Sequence, residues 1–180
     1  MVMNYSDITL KDLIDVITFQ NLLDSFSRLT GISTAIVDLK GEILAAAGWQ
    51  KICTEFHRKN RVTAARCVES DTVLAGKLAA GERYNIYKCR NGLVDISFPV
   101  NIESVHVGNL FIGQFLLESP DIEFFTHQAE EFEFDMQSYL EALSKVPIFT
   151  IEQINYAIEF LTNLTVVIGN TGLDKKKLFE

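Results

Sequence analysis

The stretch from Tyr84 to Glu118, YNIYKCRNGLVDISFPVNIESVHVGNLFIGQFLLE, leaves the chain few folding options. It reads as three consecutive strands. Tyr84 to Cys89 is rich in aromatic and branched residues, and Arg90-Asn91-Gly92 is a hairpin-type turn. Leu93 to Ile102 alternates as a half-buried strand does. After the polar break Glu103-Ser104, Val105 to Leu117 forms a long third strand carrying Gly108 and Gly113. A glycine inside a strand gives up packing, so it marks a bulge or a close approach by something else, a ligand included. A curved antiparallel sheet with a hollow face fits these features.

The rest of the chain supplies two more strands and a set of helices. Thr9-x-x-Asp12 opens a helix that should run to Leu29 and stop at Gly31. Its apolar residues make two stripes, Leu10, Leu13, Ile14 and Ile17, then Val16, Phe19, Leu23, Phe26 and Leu29. A core-facing helix needs only one, so the second meets another subunit or lies under a long loop. Ser33 to Asp38 and Glu42 to Ala47 pair across the turn Leu39-Lys40-Gly41. Trp49 opens a helical region, Gln50 to Ala80, without strong periodicity. Ser119-Pro120-Asp121 starts a helix with a serine cap and proline first. Thr150-x-x-Gln153 is a capping box opening a last helix that should end near Gly169. It too carries two stripes, one of Ile151, Ile154, Ile158, Leu161 and Ile168 and another of Ala157, Phe160, Leu164 and Val167.

Helix, two strands, helical middle, three strands, helices is an α+β order: a five-stranded antiparallel sheet with helices over one face and long terminal helices. It suits a PAS-like fold, and periodicity alone does not separate that from a GAF-type fold. The expected division is a signalling and dimerisation helix at residues 1–30, a sensory core at 31–149, and a signalling helix and tail at 150–180.

Composition excludes several function classes. With 24 acidic against 16 basic residues the net charge is −8, which repels phosphate backbones and acidic membrane surfaces alike. No apolar run approaches the ~20 residues of a membrane span, and the polar start MVMNYSDITLKDLID is unlike a secretory signal. Three cysteines suit a reducing compartment, so a cytoplasmic location is expected. No GxSxG, HExxH or phosphate-cradling glycine loop is present, which argues against an enzyme.

The quoted pieces GWQKICTEFH (Gly48 to His57), RCVESD (Arg66 to Asp71), YNIYKCRNGLVDISFPV (Tyr84 to Val100) and HVGNLFIGQFLLE (His106 to Glu118) resemble the PocR family, a PAS-like sensory domain of signalling proteins. PDIEFF (Pro120 to Phe125) and YLEALSKVPIFT (Tyr139 to Thr150) extend the likeness over most of residues 30 to 170. The resemblance implies a sensor upstream of a histidine kinase, as in two-component systems, or of a helix-turn-helix regulator. It also implies small organic ligands, including short diols and hydrocarbon derivatives. No phosphoacceptor, ATP-binding or DNA-binding element is recognisable in this sequence.

Two site chemistries follow from the residues. Trp49, Cys53, Phe56, Tyr87, Cys89, Asp95, Phe98, His106 and Gln114 are the candidates for a cavity with apolar walls and a few placed polar groups. Alternatively Cys53, His57, Cys67 and Cys89 make a metal or redox sensor, three thiolates and an imidazole completing a tetrahedral zinc or iron site. Against that stand the absence of a CxxC knuckle and the ordinary habit of single cysteines to be buried. A third reading is a structural dimerisation module; the terminal helices predict a homodimer in any case.

Overall fold

The computed structural model describes residues 9–74, 83–102 and 105–178. Five strands form one antiparallel sheet in the PAS-like order β2-β1-β5-β4-β3, with β1 Ser33–Asp38, β2 Ile43–Ala47, β3 Asn85–Lys88, β4 Val94–Ile102 and β5 Val105–Phe115. The three-strand stretch read from the sequence is the β3-β4-β5 meander, and its long last strand, β5, sits at the centre. Residues 75–80 of the predicted helical region, and the break at Glu103-Ser104, lie outside the described residues.

Alternation along the strands gives the sheet two different faces. Ile36, Ile96, Phe98, Val100, Leu110 and Ile112 are fully buried on one, packed against Leu10, Ile14 and Leu23 and against Ile154, Ile158, Leu161 and Ile168. Those partners come from α1 (Leu10–Leu13), the extended Ile14 that follows it, α2 (Val16–Thr30) and α6 (Ile151–Leu178). Ala35, Val37 and Phe111 lie on the other face with Trp49 and Tyr87. A wide helical turn Ile52–His57, α3 (Arg61–Glu69) and a second wide turn Ser70–Leu74 pass over that side. A further core joins Ile52, Leu93 and Leu116 to α4 (Ile122–Glu131) and α5 (Met136–Ser144).

The helix limits differ from expectation, each for a local reason. The first helix is two: Ile14 is extended, and the Asp15 carboxylate caps α2 by accepting from Ile17 N (3.1 Å) and Thr18 N (3.3 Å). The α4 cap is Asp121, accepting from Phe124 N at 3.0 Å, so Pro120 precedes the helix. The Thr150–Gln153 capping box is present as expected. The last helix does not stop at Gly169. There a Cβ would sit 2.4 Å from the Asn101 carbonyl oxygen, so glycine lets α6 press against β4 and the helix continues. The glycines of β5 likewise mark close approaches: Leu10 packs over Gly108, and the Asp95 side chain lies directly over Gly113.

The second stripes are partly packed within the chain and partly exposed. Val16, Phe19, Phe26 and Leu164 pack on the core, with Phe26 stacked on Phe160 at 5.7 Å, whereas Leu29 is 86% exposed and Val167 58%. No helix of the described residues is long and apolar enough to cross a membrane.

Candidate functional site

Between the sheet and the stretch from Trp49 to Asp71 lies a cavity of about 50 Å³, room for a ligand of a few non-hydrogen atoms. Ala35, Val37, Ile43 and Phe111 supply apolar wall; Trp49, Cys53, Cys67 and Cys89 add soft surface; Arg58, Asp71, Asp95 and Gln114 are the strongly polar members. Trp49 is fixed by its own Nε1–H, which donates to the Thr34 carbonyl at 3.3 Å, and the Arg58 guanidinium stacks 4.5 Å over its ring. Arg58 also donates to Asp71 at 2.8 Å, joining the two wide turns. Burial works against the charge of Arg58, but the facing Asp71 carboxylate more than restores it, leaving the guanidinium pKa raised.

The floor is built around Asp95. Its Oδ1 accepts from Gln114 N at 3.0 Å, and the missing side chain of Gly113 makes the space it occupies. Burial first, and the nearby Asp71 charge second, push the Asp95 carboxyl up to about 7. Gln114 takes a left-handed φ of +57°, unusual for a residue other than glycine. Its side-chain oxygen accepts from Gln50 N at 2.6 Å, tying the central strand to the segment above it. Among the described residues the buried Arg58 Nε–H, a donor, and the Tyr87 hydroxyl, donor and acceptor both, have no hydrogen-bond partner. Tyr87 stands opposite Asp95 in the β3–β4 register, on the cavity face of the sheet.

Behind Arg58, a network of neutral groups joins the cavity to α4 and α5. His57 Nε2 lies 2.8 Å from the Tyr139 hydroxyl, to which Gln128 Nε2 donates at 2.6 Å. Tyr139 therefore serves as donor to the imidazole, a tautomer assigned from the network. Burial, then the Arg58 charge, push His57 down to about 4. Asn91 Nδ2 donates to the Thr63 carbonyl (2.9 Å) and to Cys67 Sγ (3.2 Å).

Six of the nine predicted cavity residues gather here: Trp49, Cys53, Cys89, Asp95 and Gln114 line it, and Tyr87 packs beside it. Three do not. Phe98 faces the opposite side of the sheet, fully buried under the terminal helices. Phe56 packs edge-on against Phe134 and Tyr139. His106, near the start of β5, bonds the Asn109 side chain at 3.0 Å away from the cavity. The four-ligand metal site is not assembled either: among the described residues no three His, Cys, Asp or Glu side chains are placed to hold an ion. The His57 Nε2 is engaged by Tyr139 and Gln128. Burial raises the pKa of all three thiols, most strongly at Cys53 and Cys89, so they are thiols rather than thiolates. His57 and Cys67 instead line the cavity. Asp71 enters from the sequence only within the piece RCVESD, without a site role, and Arg58 is not singled out there.

The family model for the sensory domain found in PocR matches residues 12–173. The regulatory protein PocR of Salmonella typhimurium strain LT2 is 29% identical over 103 residues, 57% of this chain. The chain spans about a third of that relative's length, the match covering 33% of it.

Proposed function

This chain belongs to the PocR sensory-domain family, and from that premise we propose that it binds a small organic molecule, a short diol or another hydrocarbon derivative, in the cavity above Asp95. The observation that carries the reading is a cavity with apolar walls beside two buried, unpartnered polar groups, Arg58 Nε–H of the lining and the Tyr87 hydroxyl packed next to it. Leaving such groups without a partner costs about 1–3 kcal/mol each, a cost that a bound polar atom removes. No catalytic role is proposed: the thiols are protonated, the imidazole is neutral, and neither is paired as a nucleophile with a base.

The route to an output runs through four residues. Asp95 holds Gln114 N in its left-handed conformation. Two residues on, Leu116 N donates to the Pro147 carbonyl and Leu116 O accepts from Phe149 N, both at 2.9 Å. Phe149 leads directly into the Thr150 cap of α6. A ligand that re-partners Asp95 thereby acts on the entry of the last helix, and it biases α6 by its differential affinity for the two arrangements. The segments 1–30 and 150–180 then flank a sensory core and pass the signal to an output module in the same or another chain. A regulatory protein is what the relative's name states; a transcription regulator or a histidine kinase would be driven in the same way.

The receiver works as a cytoplasmic homodimer that leaves nucleic acid and membrane to other domains. Leu29, Tyr156 and Phe160 leave an apolar groove of about 390 Å³ between α2 and α6, a seam that a second copy would fill. Native mass spectrometry tests both statements. Ions at twice the chain mass, taking up one 1,2-propanediol or comparable small adduct per chain, are expected. Monomers alone at micromolar concentration would remove the dimer; a chain that never carries an adduct would remove the sensor.

A further inference from the structure

The surroundings of Asp95 suit an acid better than an anion. A carboxylate has about four acceptor positions. Among the described residues Gln114 N, at 3.0 Å, and the Cys89 thiol donate to it. Tyr87 of β3 and Cys89 of the hairpin stand beside it, with Cys53, His57 and Arg58 from the first wide turn, Cys67 from α3 and Asp71 from the second. The lining residues of β1, β2 and β5 are not titratable. With the thiols, the phenol and the imidazole uncharged, the lining holds one cation for two carboxyl groups, and Arg58 is committed to Asp71 at 2.8 Å. An ionised Asp95 is therefore a buried charge short of donors, which costs free energy.

The stretch above Asp95 is unevenly fastened. Its far side is held to the hairpin, where Arg90 N donates to Ser70 Oγ at 3.0 Å and Asn91 Nδ2 to the Thr63 carbonyl at 2.9 Å, and to α5 through His57 and Tyr139. Its near edge meets the sheet through Gln50 N on Gln114 Oε1 at 2.6 Å and the long 3.3 Å bond from Trp49 Nε1–H to the Thr34 carbonyl. The apolar contact beneath that edge is the small cluster around Ala35, Val37 and Phe111.

We propose that the stretch from Trp49 to Asp71 is a proton-operated lid, closed while Asp95 carries its proton and lifted at its Trp49 edge when that proton passes to solvent. Lifting lets water donate to the carboxylate and breaks the Gln50–Gln114 bond, one of two that hold Gln114 in its left-handed conformation. A neutral ligand under the closed lid keeps water out and so favours the proton, and its affinity falls as pH rises. That consequence depends on the sensor reading; the lid itself does not.

Hydrogen exchange of the whole chain, with no ligand added, tests the lid. Trp49 is the only tryptophan, so its indole N–H is read without overlap. The Asp95 carboxyl titrates at about 7 in the closed form and near ~3.9 once exposed to water. Protection of Trp49 Nε1–H and Gln50 N–H, corrected for hydroxide catalysis, should then fall roughly thirtyfold between pH 5.5 and 8.5. Both should exchange faster than Leu110 N–H at the centre of the sheet, the mark of a local opening. In Asp95→Asn the fall should vanish. In Asp71→Asn its midpoint should move to lower pH, because the Asp71 charge helps to raise the Asp95 pKa. Flat protection in wild type, a fall that persists in Asp95→Asn, an unmoved midpoint in Asp71→Asn, or exchange no faster than that of Leu110 would each overturn the lid.

Discussion

Asp95→Asn is expected to stabilise the chain at pH 8 by up to roughly 4 kcal/mol, on the order of 10 °C in melting temperature. The Asp95 carboxyl titrates near 7 in the folded chain and near ~3.9 when unfolded. A raised carboxyl pKa means the folded chain holds the proton more tightly. Its contribution is complete below the unfolded value and is lost as pH climbs towards 7. About three units at 1.36 kcal/mol each give the figure. His57 works in the opposite direction. Its pKa of about 4 in the fold, against ~6.5 unfolded, gives stability that is present above 6.5 and lost as pH falls to 4, roughly 3 kcal/mol. Between pH 4.5 and 6 the two slopes nearly cancel, so wild type should look flat there. Denaturant titrations at several pH values separate them: in Asp95→Asn stability should rise from pH 4 to 6.5, and in His57→Gln it should fall from pH 4 to 7. Profiles identical to wild type in both variants would mean that neither group is held in its buried, neutral form.

Phe98→Ala is expected to cost about 3–5 kcal/mol, because the ring is fully buried and its removal leaves a cavity under α6. Ligand affinity per folded molecule should not change, since the side chain lies across the sheet from Asp95. Chemical denaturation together with ligand titration below the transition checks both halves. Lost binding with stability intact would return Phe98 to the binding face.

Phe98 also shows how far the sequence could be read. The meander and its turn are legible because period-two burial and Asn-Gly turn chemistry are local signals, whereas the fifth strand's central place is set by pairing with β1, far away in sequence. Parity was available too. Asp95 and Phe98 are three residues apart, so on one strand they face opposite ways and cannot both line one cavity. The two charged residues of the site were hidden for another reason. Arg58 caps the first wide helical turn and Asp71 lies in the second, and both turns break the 3.6-residue rhythm, so no pattern announces that the two side chains turn inward to meet. Gln114 carries no glycine-like signature for its positive φ; Asp95, 19 positions earlier, imposes it. Gly169 was taken for a stop because a helix end and a close helix–strand contact both call for glycine. Cys53 and His57 do lie one turn apart, yet the imidazole turns towards α5, and only the packing of Tyr139 reveals that.

The central claim is that ligand lodges between the sheet and the segment from Trp49 to Asp71. Methyl-labelled chain saturated with 2-butanone or 1,2-propanediol tests it by nuclear Overhauser contacts from the probe. The account predicts contacts to the methyl groups of Ala35, Val37 and Ile43, which line the cavity, and none to Leu29 or Ile32. Contacts confined to Leu29 and Ile32, in the groove between α2 and α6, would contradict it.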